Sequence, residues 1–191
     1  MKRTCDLPVP RPERLVELIK GIKKERTRAL VSILYLTGAR INEIAHSLCL
    51  QDVEHLSNYI HPRTGEKRDI WLIRLKNLKN RKTITKTIPL HMHIWIDKDL
   101  FPLFYEYAIK CKNPQIPIFK IGDRRCEKII EDIGIPEICY PHILRHYRVT
   151  HWASSLCPYH YNPQQIQKMA GWSNLLPFAV YAHLIFEDLI I

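Results

Sequence analysis

The segment PHILRHYRVTHWASS, residues 141–155, places His142, Arg145, His146, Arg148 and His151 within one short stretch. Pro141 suits a first helical position, because its missing N–H has no partner there in any case. On a helix, Leu144, Tyr147 and His151 share one face, while His142, Arg145 and Val149 share another. His142 and Arg145, one turn apart, therefore point at a single object. Two basic side chains aimed together require that object to be anionic and held in a defined geometry.

The rest of the composition fits that reading. At 191 residues the chain is expected to form one domain with a proper core. Its 46% hydrophobic and 25% charged residues are ordinary for a globular protein. The formal net charge of +10 is not, and it favours a polyanion: nucleic acid first, an acidic membrane second. The opening Met1-Lys-Arg-Thr leads into a proline-rich stretch, so no signal peptide is read. No window offers the ~20 apolar residues of a membrane span. The six cysteines include no C-x-x-C pair and read as small hydrophobes of an intracellular, reducing compartment. Cys157 and His160 have metal-like spacing, and His91 and His93 flank Met92, yet no second pair completes a zinc site. No metal or other cofactor is expected.

Along the chain, residues 1–12 read as an extended lead-in and 13–191 as the domain. Leu15, Leu18, Ile19 and Ile22 mark an amphipathic helix, and TRALVSILYLTG a buried one that stops at Gly38. Ile41, Ile44, Ala45 and Leu48 make a short third helix with Arg40 at its entrance. DIWLIRLKNLK and KTITKTIPL are β-branched strands with Asn80-Arg81 as their turn, and HLSNYI supplies a third. Helical spacing returns at Leu100–Tyr107 and at Cys126–Ile133, the latter with Asp123 as cap and Gly134 as stop. Asn162 and Pro163 open a further helix. The predicted class is α+β: mostly helical, with a small antiparallel sheet inserted after the third helix.

Four separated places carry residues suited to one chemistry: Arg40 in TGARINEI, Lys79 and Lys82 around the hairpin turn, Arg145, and Tyr181 in FAVYAHL. In that order the segments resemble the catalytic domain of the tyrosine recombinases, the phage-integrase and Xer-like family, from about residue 10 to 185. TGARINEIAHSL is similar to the family's T-G-x-R-x-x-E-L, and HILRHYRVTHWA to its H-x-L-R-H-x-x-x-T-H. AGWSNLLPFAVYAHL resembles its L-G-H-S ending with Y-x-H-L. The resemblance implies catalytic roles for Arg40, His142, Arg145, Trp172 and Tyr181, with Tyr181 the nucleophile. The chain departs from the pattern in three places. Trp172 stands where histidine is commoner, and LCPYHYNP lengthens the segment before Gly171. The hairpin is also longer, so that the family's lysine falls best on Lys79, with Lys82 and Lys76 as alternatives.

The resemblance further implies a site-specific recombinase or integrase of double-stranded DNA. It would work through a 3'-phosphotyrosyl intermediate without metal or ATP, and self-associate on DNA in a tetrameric synapse. A topoisomerase-like or telomere-resolving strand transferase would use the same residues. A non-catalytic DNA-binding remnant is the reading from another class, and the joint presence of both arginines, the histidine and the tyrosine speaks against it. The family's separate N-terminal DNA-clamping domain is expected to be missing from this chain.

Each residue type has a chemical reason. Two guanidinium forks neutralise the non-bridging oxygens of a pentacoordinate phosphorus, which lysine cannot match. A phenol of pKa ~10 needs a base, the role expected of His142. A lysine protonates the leaving sugar oxygen, and the Trp172 indole N–H meets a phosphate oxygen. Glu43 is expected to orient an arginine or cap a helix, and His146, His151 and His183 are expected to be structural.

Overall fold

The computed structural model describes residues 9–62, 64–77, 84–154, 158–159 and 161–181. Pro12 opens α1 (Pro12–Lys20), which buries Leu15, Val16 and Ile19. The apolar run predicted as a buried helix forms α2 (Glu25–Thr37), with every residue from Ala29 to Thr37 out of solvent. Its burial on all sides follows from its place, packed by α4 (Trp95–Ala108) and α6 (Pro141–Ala153). Gly38 ends α2 at φ 55°, a left-handed conformation that glycine adopts without a Cβ penalty. A Cβ there would also come within 3.3 Å of the Trp152 ring.

Beyond α3 (Ile41–Ala45) the chain enters an antiparallel meander of β1 (Val53–Ile60), β2 (Lys67–Asn77) and β3 (Ile84–His91), in that order across the sheet. Ile73 pairs with Ile88 and Leu75 with Lys86. Along β3, Lys86, Ile88 and Leu90 face the core while Thr85 and Thr87 face solvent. The expected turn at Asn80-Arg81, with Lys79 and Lys82, lies outside the described residues, as does the apolar tail after Tyr181.

α5 (Asp123–Glu131) starts one residue off its expected cap: Gly122 holds the N-cap position and Asp123 the first turn. α7 (Pro163–Ala170) is capped as expected. The Asn162 side chain accepts the Gln165 N–H at 2.9 Å, and Gln165 accepts the Asn162 N–H at the same distance. Gly171, at φ 66°, ends α7 and leads to a 3-10 turn, Leu176–Tyr181. Of the described cysteines, all unpaired, Cys49 and Cys126 are buried as expected, whereas Cys111 and Cys139 are only half-buried.

A polar knot fixes α6 against α4. Arg148 donates to Asp97 Oδ1 (2.9 Å) and to the Tyr159 hydroxyl (2.6 Å), which itself donates to Asp97 Oδ1 (2.7 Å). The Arg148 guanidinium lies over the rings of Tyr159 (4.4 Å), Trp152 (5.1 Å) and Tyr35 (5.2 Å). A buried charge paired through both terminal nitrogens, with only its Nε left without a partner, holds α6 in one register, which sets where the other basic residues of the helix point.

Candidate active site

Arg145 is 4% exposed and is fastened at both tips of its fork. Nη1 donates to the Gly38 carbonyl at 2.6 Å and Nη2 to the Ala170 carbonyl at 2.8 Å. These oxygens belong to the ends of α2 and α7, where carbonyls lack intrahelical partners and carry the negative pole of the helix. A guanidinium has five N–H donors, so two tethers leave the others for an anion. Burial first, then the charge of Arg40, pushes Arg145 down to about 10, still cationic at neutral pH.

Arg40 is held differently. Its N–H donates to Glu43 Oε2 (2.8 Å) and its Nη1 to Glu43 Oε1 (3.4 Å), within α3's first turn. Glu43 therefore does both things expected of it: it caps the helix and orients the arginine. The same Oε2 is met at 2.8 Å by Lys86 Nζ from β3, off the line of a well-aligned hydrogen bond. Side-chain exposures of 5% for Lys86 and 1% for Glu43 make this an interior ion pair. Burial pushes Lys86 down to about 8; Glu43 opposes the shift, while Arg145 and Arg40 add to it. The motifs do not single out Lys86. Its signal lies in ITKTIPL, whose alternation puts a lysine in line with Ile88 and Leu90 on a core face.

His142 sits at the solvent-facing start of α6. Its ring is held below the ordinary histidine range by desolvation in the cleft, then by the cations of Arg145 and Arg40. Trp172 follows Gly171, with the Arg145 guanidinium 5.9 Å from its ring centroid and its carbonyl accepting from Gln167 Nε2 at 3.3 Å. Tyr181 stacks on Trp172, centroids 6.1 Å apart and planes at 19°, with Phe178 beyond at 6.4 Å. Its hydroxyl lies 3.1 Å from Nδ1 of His146. The fold thus gathers Arg40, His142, Arg145, Trp172 and Tyr181 around one cleft. The histidine against the Tyr181 hydroxyl is His146, expected from the sequence to be structural.

His151 is structural as expected. Its Nε2 donates to the Pro10 carbonyl (3.0 Å), so Nδ1 accepts from the Tyr35 hydroxyl (2.7 Å). Lys76, the described alternative for the hairpin lysine, is half-buried on β2. Among the described residues no group of three or more His, Cys, Asp or Glu is arranged to hold a metal ion. Nor is any described helix long and apolar enough to cross a membrane.

A tethered arginine within electrostatic reach of a second arginine and of a tyrosine, in a mostly helical domain with a small three-stranded sheet, is the arrangement that the resemblance to tyrosine recombinases implied. The sequence matches the phage integrase family over residues 11–188, and the chain belongs to that family. In fold it is similar to XerA recombinase, at a TM-score of 0.60 and 20% identity, covering 98% of this chain and 64% of that one. It is also similar to the Tn1549 transposon integrase, residues 82–397, in complex with circular intermediate DNA. There the TM-score is 0.56 and the identity 17%, over 99% of this chain and 66% of that one. The Y379F form of that integrase with transposon right end DNA gives 0.54 and 17%, over 99% and 65%. The chain spans just under two thirds of the length of each. No curated protein matches it in sequence. The predicted fold class holds.

Proposed function

We propose that this chain is a site-specific DNA recombinase that cuts and rejoins strands through a 3'-phosphotyrosyl bond. The observation that carries the reading is the tethered Arg145 fork beside Arg40 and next to Tyr181. The Arg40 charge disfavours a second cation at Arg145, so the cleft holds positive potential that a phosphodiester relieves. Tyr181 Oη attacks phosphorus, the sugar oxygen leaves, and the bond energy is kept in the phosphotyrosine for a later attack by a DNA hydroxyl. Because the ester is exchanged and not hydrolysed, no ATP is consumed. Arg40 and Arg145 neutralise the non-bridging oxygens, helped by the Trp172 indole N–H and by His142 at the open side of the cleft. Lys79 in the hairpin is the proposed acid for the leaving oxygen. Double-stranded DNA is the proposed partner, supported by the charge of +10 and by the DNA held in the two integrase complexes. Self-assembly of several copies on that DNA completes the proposal.

A pool of nicked duplexes of randomised sequence tests it, with chelator present and nucleotide absent. The wild-type protein should become covalently attached to a recoverable subset. Tyr181→Phe should fold and bind DNA equally yet form no denaturant-resistant adduct. No attachment by the wild type, or attachment by Tyr181→Phe, overturns the reading.

A further inference from the structure

We propose that His146, the residue after Arg145, is the general base that takes the phenol proton of Tyr181. The proposal rests on the strand-transfer reading above and assigns one proton within it. Geometry comes first: Nδ1 of His146 is 3.1 Å from the Tyr181 hydroxyl, within the reach that proton abstraction requires. The two rings lie 5.5 Å apart at 41°, so the hydroxyl meets the ring edge where a lone pair sits. Both partners are held. His146 is 9% exposed on a helix pinned by Arg148, and Tyr181 is packed by Trp172 and Phe178. His142 lies one turn back at the solvent-facing start of the helix, where the two arginines act on it.

The protonation state agrees. Desolvation, and then His142, hold His146 below the ordinary histidine range, so the imidazole is neutral at pH 7. Only the neutral ring can accept a proton. The charged and titratable groups around α6 leave that state in place. His142 and Arg145 precede His146 on the helix, and Tyr181 faces it from the 3-10 turn. Glu137 is taken up by Arg14 and Lys168 of α7 points to solvent.

With Nε2 carrying the ring proton, the Tyr181 hydroxyl donates to Nδ1. As Oη closes on phosphorus, the O–H bond breaks, Nδ1–H forms and the ring becomes an imidazolium. The bond from phosphorus to the sugar oxygen breaks, and that oxygen takes its proton from the hairpin lysine. Transfer is concerted with attack, since complete ionisation of a phenol by so weak a base would run uphill. The new phosphate ester beside the imidazolium stabilises its charge. On rejoining, the attacking DNA hydroxyl gives its proton back to the hairpin lysine and Nδ1 returns its own to the departing phenolate, so no proton is gained or lost over the cycle.

The test is single-turnover adduct formation on nicked duplexes recovered with the wild type, with DNA affinity and unfolding midpoint measured alongside. His146→Asn keeps a polar group near the Nδ1 position and guards against loss of fold; His146→Ala opens room for added imidazole. Both should bind DNA as the wild type does and form adduct about 10²–10⁴-fold more slowly at pH 7. Both should lose the acid limb of the pH–rate profile and speed up with rising pH, and imidazole should accelerate only His146→Ala. His142→Ala should keep the acid limb. A His146→Ala protein with the wild-type rate and limb overturns the assignment. So does a His146→Asn protein at full rate, since a hydrogen bond alone would then suffice. Absence of any wild-type adduct would instead sink the strand-transfer reading, and that control separates the two failures.

Discussion

At the scale of single residues, the cleft shows why side chains of like charge are not interchangeable. Arg145 spends one donor on each of two helix ends 107 and 25 residues away in sequence and keeps donors in reserve. An ammonium on a flexible stem cannot span both carbonyls in a fixed plane. Arg145→Lys should therefore slow adduct formation on the order of 10²–10³-fold while DNA affinity changes little. Single-turnover cleavage beside a binding titration measures both. Lys86 has the opposite character: interior, paired with Glu43, and acting on the cleft through Arg40. Lys86→Met leaves the buried Glu43 carboxylate to Arg40 alone and should destabilise the fold by about 1–3 kcal/mol in denaturant unfolding. Adding Glu43→Gln should recover most of that stability without recovering cleavage, because Arg40 has then lost its anchor.

At the scale of elements, α6 is the keystone. It offers His142, Arg145 and His146 to the cleft and drives Arg148 and His151 into the core. A basic helix is buried this deeply because its inward charge is paired and its inward rings are bonded, and the neutral tautomer of His151 is part of that. Its pKa is pushed down to about 4 chiefly by burial, as is that of His91 at the end of β3. Unfolded histidine titrates near ~6.5. Above that pH neither state binds the protons and the contribution to stability is complete. As pH falls from 6.5 towards 4, the unfolded chain takes up protons that the folded protein refuses, so stability declines. Urea unfolding midpoints should fall across that interval. His151→Gln should start less stable at pH 7 and lose less over the same range.

At the scale of the whole molecule, 29 Lys and Arg against 19 Asp and Glu would make counterion release the main source of the proposed grip on DNA. Binding should be steeply salt-dependent. For six to ten phosphate contacts, affinity should drop about 10³–10⁵-fold between 50 and 200 mM salt. Fluorescence anisotropy across that range reads the slope, and nanomolar binding indifferent to salt contradicts it. The arginines of α6 and of the entrance to α3 contribute to this field only where the fold leaves them open. Arg148 is sealed in the core, whereas the Arg40 side chain keeps 33% of its surface.

Much of this architecture is legible in the amino-acid sequence by itself, because it depends on local order along the chain. A glycine closes the apolar helix at Gly38, a proline opens α6 at Pro141, and Asn162 and Pro163 open α7. Alternation outlines the strands, and three motifs in order bring the family and five of the cleft residues into view. These features act over a few residues, where spacing determines which face a side chain occupies. What spacing cannot specify is the distance between faces of different elements, which packing among remote residues sets. That packing decides that His146, and not His142, lies against the Tyr181 hydroxyl, across 35 positions. It also brings Lys86 to Glu43, placing a lysine of the sheet behind an arginine of the third helix. A lysine within an apolar alternation and a second histidine after an arginine look incidental in a string of letters. They acquire meaning when burial removes water and leaves a charge or lone pair only its protein neighbours to meet.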